Sequence, residues 1–201
     1  MNVLGKQRDF FIRQKTKDVS FRKEALKRLQ KEIIAREDDI AEAIYKDFKK
    51  PKFETLAAET QFVLAELKLT LKNIDHWAAP ERKSASLMNW PSSDWIYREP
   101  YGAVLIIAPW NYPFQLAFAP MIAAVAAGNT VVVKPSEVTP HTASIISEIV
   151  SAVFVTEHVT VVEGGVEVSQ ELLAEKWDYI FFTGSSRVGQ IVYESAAKHL
   201  T

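Results

Sequence analysis

The sequence predicts an α/β protein in which a doubly wound parallel sheet follows a set of amphipathic helices and a small β excursion. Three observations carry this reading. From Tyr101 onward, short apolar runs rich in β-branched residues alternate with helical patterns four times, and β-α units in series imply a parallel sheet. Between residues 20 and 48, Leu26, Leu29, Ile33, Ile40 and Ile44 recur at helical steps, as in helices with one apolar face. Residues 84–99 fit neither pattern and break into short extended pieces around Trp90-Pro91-Ser92-Ser93-Asp94. The chain therefore divides into helices at 1–83, the excursion at 84–99 and the α/β domain at 100–201.

The charged cluster Arg36-Glu37-Asp38-Asp39 splits the first pattern into two consecutive helices. A third is marked by Leu64, Leu67, Leu71, Ile74 and Trp77, after the Lys50-Pro51 break and before Pro80. All three are expected to pack on the main core. In the excursion, Trp90 and Trp95 require burial, either in a strand pair with its own core or against a partner chain, where aromatic residues are enriched. The α/β part begins with a strand at 103–108 and a helix at 113–127 closed by Gly128-Asn129, followed by a strand at 130–134. Thr139 as N-cap with Pro140 at the first helical position opens a helix to about Phe154. A strand at 159–163, a helix ending near Lys176, a strand at 179–183 and a last helix complete the series. Ligands of such sheets bind at the carboxyl ends of the strands.

At 201 residues the chain supports one main core, and 48% hydrophobic against 24% charged residues is a globular balance. A formal net charge of -1 creates no field that would recruit nucleic acid or an anionic membrane, which points to a small-molecule partner. The chain has no cysteine, which excludes disulfides, thiolate metal sites and a cysteine nucleophile within these residues. Residues 1–17 are polar and basic without an apolar segment, so no secretory signal is read and a cytoplasmic location is expected.

Residues 100–133 carry no charge, yet Pro109, Pro113, Pro120, Gly102 and Gly128 would break a spanning helix repeatedly. A buried parallel sheet accommodates them better than a membrane does. His76, His141, His158 and His199 show no paired ligand spacing, so no metal site is expected. No Gly-x-Ser-x-Gly elbow supports a serine hydrolase either.

Three strand ends carry candidate chemistry. After the fourth strand, Gly184 lets backbone approach a ligand closely, Ser185 offers a hydroxyl, and Gly189 follows on the helix, whose start presents free N–H groups to a phosphate. This is not the G-x-G-x-x-G fingerprint, and a plain turn with a capped helix is the alternative. After the second strand, Lys134 and Glu137 can both bond ribose hydroxyls. A carboxylate there would repel a 2'-phosphate and favour NAD over NADP. The alternative is a solvated surface pair. After the first strand, Pro109-Trp110-Asn111-Tyr112-Pro113 holds an amide on a stiff turn, suited either to an oxyanion or to capping the next helix.

In this order the motifs resemble the aldehyde dehydrogenase superfamily, most closely its class 3 branch of fatty and aromatic aldehyde dehydrogenases. The resemblance rests on Glu99-Pro100-Tyr101-Gly102, on Pro109-Trp110-Asn111-Tyr112-Pro113 and on the run from Ala127-Gly128-Asn129 to Lys134-Pro135-Ser136-Glu137. Phe182-Thr183-Gly184-Ser185 with Gly189 completes it. It spans about 20–201 and is weaker in the helices before Glu99.

It implies a Rossmann-like domain, incomplete here, with NAD as cofactor and NADP possible. Asn111 would stabilise the oxyanion, Lys134 and Glu137 would hold the adenosine ribose, and Ser185 would meet the pyrophosphate. Ile107, Pro109 and Trp110 would line the cofactor cleft. Residues 84–99 would belong to an oligomerisation element, with a homodimer expected for the complete protein. In the family, a cysteine thiolate attacks the aldehyde and a glutamate-activated water hydrolyses the thioester. Neither that cysteine nor that glutamate is among these residues, and Glu171 and Glu175 do not match the base. The competing readings are a nucleotide-binding or interaction fragment without activity, and an acyl-phosphate reductase of the same superfamily.

Overall fold

A computed structural model describes residues 3–201 and shows six strands. The amino-terminal part comprises α1 (Val3–Ile12), α2 (Val19–Ala35), α3 (Glu37–Phe48), α4 (Lys52–Thr55), a π-helical turn at Leu56–Thr60 and α5 (Gln61–Ala78). β1 (Glu81–Lys83) and β2 (Asp94–Ile96) pair antiparallel. The α/β part then runs β3 (Ala103–Ile107), α6 (Pro113–Ala127), β4 (Thr130–Lys134), α7 (Pro140–Val153) and β5 (Val159–Val161). It ends with α8 (Val166–Ala174), β6 (Tyr179–Phe182) and α9 (Ser186–Ala197).

β3 to β6 form a parallel sheet in the order β5-β4-β3-β6. The chain moves outward from β3 to β4 and β5, then returns to the other side of β3, so the winding reverses between β3 and β6. Open α/β sheets bind ligands outside such a reversal. Alternation along the strands sends Val104, Ile106, Val131 and Val133 to one face, where they pack with Leu29, Leu67, Phe118 and Ile146 from α2, α5, α6 and α7. Ala103, Leu105 and Val132 point to the other face and meet Leu4 of α1, Leu172 of α8, Trp177 and Val192 of α9. β4 is buried along its whole length, as expected of a strand covered on both faces. No helix among the described residues is long and apolar enough to cross a membrane.

Most expected elements form, and three differ. The polar start contributes a helix: α1 lies on the sheet, and its buried Gln7 donates to the Val131 carbonyl at 2.8 Å. As expected, α6 runs unbroken across Pro120 to Gly128, whose φ of 96° makes the left-handed stop. The β excursion starts at Glu81 and has no core of its own: Trp90 is 80% and Trp95 48% exposed. Thr139 occupies the N-cap position of α7 without making the capping bond.

Candidate active site

Sheet register aligns Lys134 of β4, Ile107 of β3 and Phe182 of β6 in one row at the carboxyl edge. The ladder continues one step, with Ala108 N donating to Lys134 O at 3.0 Å and Thr183 N to Ile107 O at 3.1 Å. The loops carrying Pro109 to Asn111, Glu137, and Gly184 to Ser185 thus leave the sheet side by side, with Gly189 one turn into α9. Trp110, Asn111, Glu137, Gly184 and Ser185 are exposed, while Ile107 and Pro109 are half-buried, so the edge is an open shelf. A hollow lined by charged groups including Lys17, Lys23 and Asp75 takes in none of the edge residues.

The helices that start on this shelf are treated differently. Tyr112, not Asn111, is the N-cap of α6, and its side chain makes no capping bond. The buried Glu59, 55 residues earlier, accepts from Phe114 N at 2.9 Å and Gln115 N at 3.3 Å instead. On α7, Asp47 does the work expected of Thr139. It accepts from His141 N at 3.1 Å, Thr142 N at 2.8 Å and Thr142 Oγ1 at 2.6 Å, and lies 2.8 Å from His141 Nδ1. Burial pushes the Asp47 carboxyl up, but these bonds outweigh it and hold it below the usual range.

Each of these two helix starts already holds a carboxylate at its positive end. α8 has Gly165 as its N-cap and Glu167 in its first turn. α9 differs from all three. No acidic residue lies in its first turn, no carboxylate reaches it among the described hydrogen bonds, and its only side-chain cap is Ser185 Oγ, 3.4 Å from Val188 N. Its start is therefore the one on this shelf best suited to an external anion.

Lys134 and Glu137 are not a solvated pair. Lys134 is 2% exposed, and its ammonium donates to Pro135 O at 2.7 Å and Glu137 Oε2 at 3.3 Å. The Glu137 side chain keeps 45% of its surface exposed and presents a carboxylate on the shelf. Gly184 and Gly189 have a packing reason of their own. A Cβ on Gly184 would lie 2.5 Å from the Phe182 ring, and one on Gly189 would lie 3.3 Å from it, so the ring fills the turn between β6 and α9. Glu59 and Asp47 escaped sequence reasoning, because neither lies near the helix it caps.

Comparison with known proteins places this geometry in a family. The profile of the aldehyde dehydrogenase family matches residues 8–201. The chain is 45% identical over 204 residues to the 4,4'-diaponeurosporen-aldehyde dehydrogenase of Staphylococcus aureus, covering 100% of this chain and 44% of that protein. It is 39% identical over 200 residues to the dimeric NADP-preferring aldehyde dehydrogenase of mouse, covering 100% of this chain and 44% of that protein. A solved structure of the substrate-bound state of Staphylococcus aureus AldH superposes with a TM-score of 0.98 at 45% identity, over 100% of this chain and 44% of that one. The chain thus spans less than half the length of these relatives, and further relatives are named as family 3 members. It belongs to the aldehyde dehydrogenase family, on its class 3 branch.

Proposed function

We propose that the full-length protein is a cytoplasmic dehydrogenase that oxidises an aldehyde to a carboxylic acid with NAD, or NADP, and that these residues supply its cofactor shelf and oxyanion donor. The observation that carries this reading is the acid-free start of α9, capped by Ser185 alone, beside the Ile107 row, where the other helix starts hold carboxylates.

The α9 amides and Ser185 hold the pyrophosphate at the helix start, where N–H groups and the helix dipole favour an anion. Glu137 accepts from a ribose hydroxyl with Lys134 beside it, and Ile107, Pro109 and Trp110 wall the cleft. When bound, the nicotinamide accepts the hydride. Asn111 Nδ2 donates to the oxyanion that develops as the aldehyde carbon becomes tetrahedral. With no cysteine among the 201 residues, the thiolate that forms the thiohemiacetal and thioester comes from outside them, as does the carboxylate that activates water. Leu87, Met88, Trp90 and Tyr97 stand exposed around the β1–β2 pair, which supports a homodimer contact there.

Incubating the full-length protein with aliphatic or aromatic aldehydes and NAD or NADP tests the reading. Reduced nicotinamide and the carboxylic acid should form in equal amounts. Turnover only in reverse, from acyl phosphates, would transfer the protein to the reductase reading. Absence of NAD binding heat would leave an interaction protein without the cofactor.

A further inference from the structure

We propose that the buried Lys50–Glu59 ion pair is a positioning device for Asn111, an inference that rests on reading Asn111 as the oxyanion donor. Asn111 sits on the exposed loop between β3 and α6, and the next residue, Tyr112, makes no capping bond to α6. One pair of side chains from the amino-terminal layer grips the α6 end of this loop at two points. Glu59 Oε2 accepts from Phe114 N and Gln115 N, while Glu59 Oε1 takes Lys50 Nζ at 2.6 Å. Lys50 Nζ lies 3.4 Å from the Asn111 carbonyl oxygen and 4.2 Å from the centre of the Tyr112 ring.

Both side chains are withdrawn from water, Glu59 completely and Lys50 to 6% exposure. A desolvated ion pair of this kind is weak evidence for stability, because an apolar pair of similar volume often serves as well. A Ser or Asp at position 112 would cap α6 locally. What the pair adds is control of the peptide that follows Asn111. With its carbonyl held by Lys50 and the next helical turn held by Glu59, the direction of the Asn111 side chain is set by groups outside the loop. Glu59 reaches this point from the π-helical turn at Leu56–Thr60, a geometry frequent at functional sites. Oxyanion donors act over a few tenths of an ångström, and a shift of about 1 Å costs on the order of a hundredfold in rate. Lys50 and Glu59 are thus positioning residues, acting on the reaction through Asn111.

The test is a double-mutant cycle in the full-length protein, with kcat, KM for the aldehyde and NAD affinity measured for Glu59→Gln, Asn111→Ala and both together. Glu59→Gln should lower kcat about tenfold or more, leave KM and NAD affinity within about twofold, and cause no further loss once Asn111 is Ala. The Lys50→Met/Glu59→Gln variant carries no unpaired buried charge and keeps an acceptor for the α6 amides. It should show the same non-additivity, and it replaces Glu59→Gln if that variant fails to fold. Equal losses in both backgrounds, or full activity in Glu59→Gln, would overturn the positioning role. Full activity of Asn111→Ala would instead remove the oxyanion reading on which it rests.

Discussion

The two halves of the carboxyl edge are built to opposite rules. On the β3–β4 side, helix starts are closed by carboxylates brought from the amino-terminal layer: Glu59 on α6 and Asp47 on α7. The cation there, Lys134, is buried against Pro135 and Glu137. On the β6–α9 side, Tyr179 and Phe181 are exposed, and the first turn of α9 holds no acid. The difference teaches which half is finished by the protein itself and which has polar capacity left for a ligand. In the proposed function, oriented side chains belong on the first half and an anion on the second.

The largest expected effect separates chemistry from binding across that divide. In the full-length protein, Asn111→Ala should lower turnover about a hundredfold or more, near 3 kcal/mol of transition-state stabilisation, with NAD affinity little changed. Steady-state kinetics beside calorimetry checks this, and a parallel loss of NAD affinity would erase the separation of the two halves.

A second effect concerns acid sensitivity at the opposite, amino edge of the sheet. His158, just before β5, is 2% exposed and lies among Phe10, Phe21 and Phe154 with ring centres 5.3 to 5.6 Å away. Burial, reinforced by Arg28, pushes its pKa from 6.5 down to about 4. The unfolded chain therefore binds a proton that the folded chain refuses between these values. The stability this neutral imidazole permits is complete above about pH 6.5 and falls by about 3 kcal/mol as pH drops to about 4. Melting curves across that window should flatten in His158→Leu, and an unchanged slope would contradict the assignment.

Asp47→Ala should cost about 2 kcal/mol by leaving the α7 amides without their acceptor, a fall of roughly 4–8 °C in Tm. Because hydrogen bonds hold the Asp47 carboxyl low, its contribution is present above the ordinary Asp value near 4 and fades below it. Stability should drop while NAD affinity stays put. The smallest effect concerns cofactor choice. Glu137→Gln should raise the NADP-to-NAD preference about fivefold, the size of roughly 1 kcal/mol of relieved repulsion. An unchanged ratio would place the discrimination elsewhere on the edge.

The α/β part was legible because its signals are local. Gly128 stops α6 in the left-handed conformation, Pro140 starts α7, and the uncharged run across 100–133 marks the buried strands and the helix between them. What was not legible depends on distant partners. Thr139 is the natural local cap, yet Asp47, 95 residues from Thr142, makes the bonds. Residues 3–12 read as a polar tail because the apolar contacts of α1 are few, with Leu4 buried and Gln7 bonded to β4. The tryptophans of the β excursion signalled burial that these residues do not provide. At the site, spacing located Asn111, Glu137 and Ser185 on one edge. No spacing could indicate that the Phe182 ring fills the space above Gly184 and Gly189.

The most direct test of the contrast between the two halves is a crystal structure of the full-length protein with NAD. The pyrophosphate should lie at the first turn of α9, within hydrogen-bond distance of its amides and Ser185, with the adenosine ribose against Glu137 and the caps made by Glu59 and Asp47 intact. A pyrophosphate seated on α6 or α7 with either carboxylate displaced, or away from α9 altogether, would contradict it.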